Sequence, residues 1–287
     1  MMILALLTAA PAVAQQQAGE MTMDPEEAAK HFPRRGYSPY ADRGFPTRPM
    51  WGDTHLHTAN SPDAFAFGNR LGPEEAYRFA RGETVTSATG QRVQLSRPLD
   101  FLVVADHGVA MGGMLELYRG NPALMQDPRL KRWHLMMNES PEQGVKAAGE
   151  LISAGSQGDI PPAMLDPKMA RTVWNTYTKT AEQFNDPGRF TALIGYEWTS
   201  LIKGNNLHRV LIFRGGKDEA DQIQPFTFAD SPDPEKLWEF MEGYEKRSGD
   251  YVLAIPHNGN LSNGMMFALS TVEVGPLTRA YAETRMR

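Results

Sequence analysis

At 287 residues, 41% hydrophobic and 22% charged, the chain holds enough apolar material for one large α/β domain or two small ones, which excludes disorder and fibre as whole-chain readings. A net charge of −5 without a Lys/Arg-rich run excludes nucleic acid as a partner and leaves no electrostatic draw towards an anionic membrane. The absence of cysteine excludes disulfides and thiolate chemistry.

The chain opens with an apolar run from Met2 to Ala10 and then Ala12, Val13 and Ala14, the small-x-small pattern that precedes signal-peptidase cleavage. Residues 1–14 read as a leader too short to span a bilayer, so the protein is expected to be periplasmic or secreted, with no stable membrane insertion after cleavage. No Lys or Arg precedes the run, and the true start is therefore expected upstream. Residues 15–47 are rich in Pro, Gln, Arg and Gly without periodicity and read as a linker, His31 within it. The domain is expected over residues 48–287.

That domain begins with WGDTHLHT, residues 51–58. In an extended chain i, i+2 and i+4 share a face, so Asp53, His55 and His57 project to one side. Further apolar runs of strand length follow at 99–105 (LDFLVVA), 190–196 (FTALIGY), 207–213 (LHRVLIF) and 251–256 (YVLAIP). Helices with readable ends lie between them. Pro73 with Glu74 and Glu75 starts one that Gly82 ends; Ser140 to Gln143 resembles a capping box; a longer one runs from Pro167 to the stop at Asn185 to Gly188; and Asp233-Pro234-Glu235 starts the last. The segment from Gly108 to Asp166 is long for one connection and is expected to act as a lid or binding loop. Strand and helix in alternation predict a parallel sheet or barrel.

His55, His57, His107, Glu197 and His257 all follow apolar runs. In a barrel of parallel strands the C-terminal ends converge on one mouth, where imidazoles and a carboxylate make a Zn, Mn or Fe site. Each residue alone has a bland reading as a turn or surface group, and Glu197 is the hardest to dismiss, because a buried carboxylate without a partner is costly. His134 reads as a helical surface residue, the methionines at Met136 and Met265 as core filler, and Trp51 and Trp198 as packing rather than pocket lining.

Taken in order, Asp53-Thr-His55-Leu-His57-Thr, Ser61-Pro-Asp63, the run ending Ala105-Asp106-His107-Gly, Gly195-Tyr-Glu197 and Pro256-His257 resemble the polymerase and histidinol phosphatase (PHP) superfamily. More closely, WGDTHLHT, GYEWTS and GNNLHRV resemble a group of exported bacterial PHP-like proteins catalogued as a domain of unknown function. The resemblance runs from Met50 onward and implies an α/β fold, a distorted seven-stranded (β/α) TIM-like barrel holding two or three divalent metals. Carried over residue by residue, His55 and His57 would bind one metal and Glu197 would bridge it to another. Asp63 would join His107 at a further metal, and His208 with His257 would complete the set. Asp53 would orient the two histidines or make a strand-end hydrogen bond. The late Asp-x-His of the family does not follow His257, and five candidate strands stand against seven, so a barrel incomplete at its C-terminus is expected. A tight hairpin between the third and fourth runs would displace Glu197 from His208 and keep them from sharing a metal.

The expected activity is metal-dependent hydrolysis of a small anionic ester, with a hydroxide bridging divalent metals and Glu197 and Asp63 as the catalytic carboxylates. The resemblance favours a phosphate ester, with Lys203 and Arg209 as phosphate contacts against the plainer reading of solvated loop and strand-edge charges. Amide or sulfate-ester hydrolysis, or a non-catalytic metal- or ligand-binding fragment, are the alternatives.

Overall fold

The computed structural model describes residues 48–202 and 204–267. The leader, the linker with His31, Lys203 and residues 268–287 lie outside the described residues. The described residues from Met50 onward form one compact unit.

All five apolar runs are strands of one sheet. β1 (Gly52–Leu56) pairs in parallel with β4 (Phe101–Val104), β4 in parallel with β5 (Thr191–Trp198), β5 antiparallel with β8 (Arg209–Phe213), and β8 antiparallel with β9 (Val252–Pro256). Two small hairpins, β2 (Val85–Thr86) with β3 (Arg92–Val93) and β6 (Leu201–Ile202) with β7 (Asn205–Asn206), stand apart from it. The sheet is therefore mixed, a correction to the all-parallel expectation. A parallel return needs a crossover of about a dozen residues or more, usually a helix. The connection from Trp198 to Arg209 holds only the β6–β7 hairpin, so β8 must run backwards. Among the described residues the sheet is a curled half-barrel of five strands, one for each of the five candidate runs.

Helices cover one face of the sheet, and their ends follow the local chemistry. α2 (Pro73–Ala80) has the Glu75 carboxylate accepting the Gly72 N–H at 3.0 Å and is closed by Gly82 at φ 82°, a conformation that glycine adopts without steric cost. α6 (Pro167–Phe184) is capped by Asp166, and α8 (Pro234–Ser248), which follows the one-turn α7 (Lys217–Ala220), by Asp233. They bury Tyr77 and Ala80, Trp174, Tyr177 and Ala181, and Leu237 and Tyr244 against Leu102, Val104, Ile194, Tyr196, Leu211 and Phe213. The opposite, inner face carries Val103, Ala105, Val210 and Ile212 with Leu193 and Ile255. Strand alternation thus puts residues 107, 197, 208 and 257 on the inner face at one end of the sheet, where β4, β5 and β9 end and the reversed β8 begins.

The long insertion has a core of its own. α3 (Gly113–Tyr118), α4 (Pro128–Glu139) and α5 (Pro141–Ser156), with the short α1 (Pro62–Ala66), bury Phe65, Met114, Leu117, Leu130, Trp133 and Leu151 together. Asp127 caps α4 and Ser140 caps α5. His134, on α4, is partly buried, and its Nδ1 lies 2.8 Å from the Leu117 carbonyl.

Candidate metal centre

The strand ends deliver the centre. β1 brings His55 and His57. The chain leaving β4 pairs with β5 one step beyond the sheet, with the Glu197 N–H donating to the Asp106 carbonyl at 3.0 Å and the Gly108 N–H to the Glu197 carbonyl at 2.9 Å, so that His107 and Glu197 stand side by side. Gly108 permits this approach, since a Cβ there would lie 2.8 Å from the Tyr196 ring. Gly195 does the same one turn of the pleat earlier, where a Cβ would meet the Leu211 carbonyl oxygen at 2.5 Å. Because β8 is reversed, its beginning meets the ends of the others, and His208 enters the same rim. The His257 N–H donates to the His208 carbonyl at 3.0 Å, fixing the end of β9 beside it.

Glu197 is the hub. Its side chain is fully buried, with Oε2 3.0 Å from His55 Nε2, 2.9 Å from His57 Nε2 and 3.5 Å from His107 Nδ1, and Oε1 2.8 Å from His208 Nδ1 and 4.0 Å from His257 Nε2. Asp63 forms a second pole: both its oxygens lie 3.1 Å from His57 Nδ1, and Oδ2 lies 3.4 Å from His107 Nε2. Among the described residues three sets have donor atoms within 4.8 Å of one another, namely His55, His57 and Glu197; His57, Asp63 and His107; and His107, Glu197 and His208. His257 sits one step outside these sets, its ring edge-on to His55 at 3.9 Å and its Nε2 accepting from Asn258 Nδ2 at 2.8 Å.

The electrostatics are those of a cation site. Burial works against ionisation of Glu197, yet the nearby rings of His208, His55 and His57 hold it well below the usual carboxylate range; Asp63 is held down in the same way, against burial, by His107 and His57. His57 is also opposed by burial, and the two carboxylates nevertheless push it up to about 10. His257 is lowered, first by burial and then by the charge of His55. Two buried ring nitrogens, His57 Nε2 and His208 Nε2, have no hydrogen-bond partner. His57 Nε2 is close to Glu197 Oε2 in distance but is not directed at it as a donor. Orphaned buried nitrogens beside an ionised carboxylate are what ligands to a shared cation look like, since a ligand aims its lone pair at the ion rather than at its fellow ligand. The donor set of imidazole nitrogens and carboxylate oxygens fits a divalent metal, and this cluster could hold one.

A family model described as "Protein of unknown function (DUF3604)" matches residues 44–287. The chain belongs to that family. Every member of the cluster lies within the matched span, and the family's description assigns it no chemistry. No curated protein and no solved structure matches the chain.

The structure thus brings together His55, His57, Asp63, His107, Glu197 and His208 and sets His257 at their edge. The hairpin that was expected to part Glu197 from His208 does form, and it joins them instead: Glu197 pairs with Val210, so His208 is its diagonal neighbour on the same face. Asp53 is exposed, and its carboxylate accepts the backbone N–H of His55 at 2.7 Å, the strand-end bond of the two readings rather than an imidazole contact. Arg209 faces the other way. It pairs with Trp198 on the helix-covered side of the sheet, 3% exposed, its guanidinium 5.0 Å from the Trp238 ring centre and donating to the Leu207 carbonyl, so it is neither a solvated strand-edge charge nor on the face that carries the cluster. Trp198 packs as expected, whereas Trp51 is 59% exposed.

Three supporting groups escape sequence reasoning. Asp106 is fully buried and accepts from the backbone N–H and the hydroxyl of Thr58, tying the end of β4 to the residue after His57; burial pushes its carboxyl up to about 6 against those bonds. The Ser61 hydroxyl joins Asp63, His57 Nδ1 and the His107 N–H, and the Thr199 hydroxyl bonds His107 Nδ1. Their only trace in the sequence is adjacency to the motif residues.

Proposed function

We propose that the chain is a metal-dependent hydrolase of the PHP type, acting on a small anionic ester, with a phosphate ester first in order. The observation that carries this reading is the division of labour on Glu197: one carboxylate oxygen faces His55 and His57 while the other faces His208, so that the one side chain could help to hold cations on both sides. The order of the residues along the chain, His55-x-His57, Asp63, His107, Glu197, His208 and His257, supports the superfamily assignment. Zn, Mn or Fe held there would supply Lewis acidity, acidifying water and neutralising the oxygens of an ester under attack.

The chain's own residues hold and aim this set. His57 would ligate through Nε2, with its Nδ1 proton held by Asp63, a carboxylate–imidazole pairing that fixes ring orientation and raises ligand basicity. Thr199 and Ser61 fix the His107 ring and backbone in turn. Export through the leader at residues 1–14 belongs to the same proposal.

The test is metal analysis of the purified protein, followed by a panel of phosphate, sulfate and amide substrates. Bound divalent metal together with metal-dependent turnover of phosphate esters is the expected result. A pure protein that neither retains nor takes up a divalent ion overturns the reading, and turnover confined to sulfates or amides keeps the centre while replacing the substrate.

A further inference from the structure

Beside the centre lies a cavity of about 460 Å³, within the size range of small-molecule pockets. Asp63, His107 and His208 line it from the side of the cluster. The facing wall is apolar: Val109 after β4, Ile152 on α5, Ile160 after it, Leu201 on β6 and Phe228 in the loop before α8. No Lys or Arg lines it among the described residues. Ile152 and Leu201 are 43% and 44% exposed, so the wall offers large aliphatic side chains to whatever enters.

A pocket with ligating groups on one side and uncharged hydrocarbon on the other sorts its substrate by shape. The anionic group goes to the cluster, where cations can neutralise it. The rest of the molecule meets a surface that rewards apolar contact at roughly 25 cal/mol per Å² covered and, Gln157 apart, offers little to hydroxyl groups or further charge. We propose that the substrate carries an apolar group, aryl or branched alkyl, next to the hydrolysed ester, and that Ile152, Leu201 and Phe228 select for it. The α3–α5 insertion is on this view the specificity wall of the site, since it supplies Ile152 and the segment that carries Ile160. The inference rests on the ester-hydrolase reading for the orientation of the substrate, but the wall is tested by binding alone.

Phenylphosphonate and methylphosphonate carry the same anionic head and cannot be hydrolysed as esters. Titrated calorimetrically into the zinc-loaded protein, the phenyl compound is expected to bind about tenfold tighter or more, the gain from covering one ring. Ile152→Glu, at a half-open position that tolerates a polar side chain, should bring the ratio near one while bound zinc is unchanged, and Leu201→Gln should lower it in the same direction. Leu135→Glu, exposed on α4 away from the pocket, should leave the ratio as it was. Equal affinity for the two phosphonates, binding of neither, or a ratio that survives both wall substitutions overturns the proposal. A tenfold preference without hydrolysis of phenyl or methyl 4-nitrophenyl phosphate instead overturns the phosphoesterase reading and leaves the wall in place.

Discussion

Glu197 and His208 lie on adjacent antiparallel strands as diagonal neighbours on one face, with Oε1 2.8 Å from Nδ1. Glu197 stands within 3.5 Å of His55 and His57 on one side and of His107 and His208 on the other. Glu197→Gln keeps the shape and removes the charge, and it should lower metal retention by at least about a hundredfold, since a directly ligating group is worth more than the 10- to 100-fold of an outer partner. Metal content after gel filtration, by elemental analysis, checks this; a Gln variant that keeps its metal places the ion elsewhere.

The histidines gathered on Glu197 and Asp63 are separable from the rest of the seven. His55→Ala and His107→Ala should each strip metal from the protein, whereas His134→Ala, which loses the contacts of a partly buried ring with the Leu117 carbonyl and Asn138, should keep it. Equal loss in all three variants would mean that metal retention tracks folding rather than ligation.

Metal uptake should release protons. In the metal-free protein His57 is held charged up to about 10, because Asp63 and Glu197 outweigh burial, and ligation through Nε2 requires that nitrogen to give up its proton. Apparent affinity should therefore keep rising with pH above 6.5 and level off only near 10. The sign for the empty fold is the reverse: a raised imidazole contributes stability that is complete below 6.5 and disappears as pH climbs through about 10. Calorimetric titration with zinc at pH 7 in buffers of different ionisation enthalpy measures the proton count directly, and a count of zero contradicts the charge state assigned to His57.

Thr58 should matter more than its place beside the motif suggests. Thr58→Val removes the hydroxyl bond to the buried Asp106 carboxylate and leaves the backbone bond, at a cost of about 1–3 kcal/mol in urea unfolding. Thr172→Val, whose hydroxyl bonds the Lys168 carbonyl on the exposed side of α6, should change stability by less than about 0.5 kcal/mol. Similar losses in both would remove the Thr58–Asp106 brace from the account.

Much of the scaffold can be read residue by residue. Pro73, Ser140, Pro167 and Asp233 announce helix starts, because a cap or a pre-set φ acts within one turn of chain. The five apolar runs announce strands, and the spacing of His55 and His57 announces a shared face, because side chains alternate along any extended segment. The reversal of β8 was not legible, and the placing of Arg209 depends on strand register for the same reason: periodicity says which residues share a face but not which way the strand runs or what it lies beside. The Ser61, Thr199 and Asp106 contacts were hidden likewise, since a hydroxyl or a carboxylate next to a motif looks the same whether it faces water or a ring.

The sequence by itself determined the inventory: which imidazoles and carboxylates stand at strand edges, and that no thiolate competes with them. Only the tertiary structure decided that Glu197 should stand among them, that Arg209 should lie on the helix-covered face, and that an insertion with its own core should wall the approach with hydrocarbon. The reason is one of range. Caps and alternation are settled by neighbours a few residues apart, whereas strand direction and register are settled by pairings across a hundred residues, which exist only once the sheet has formed.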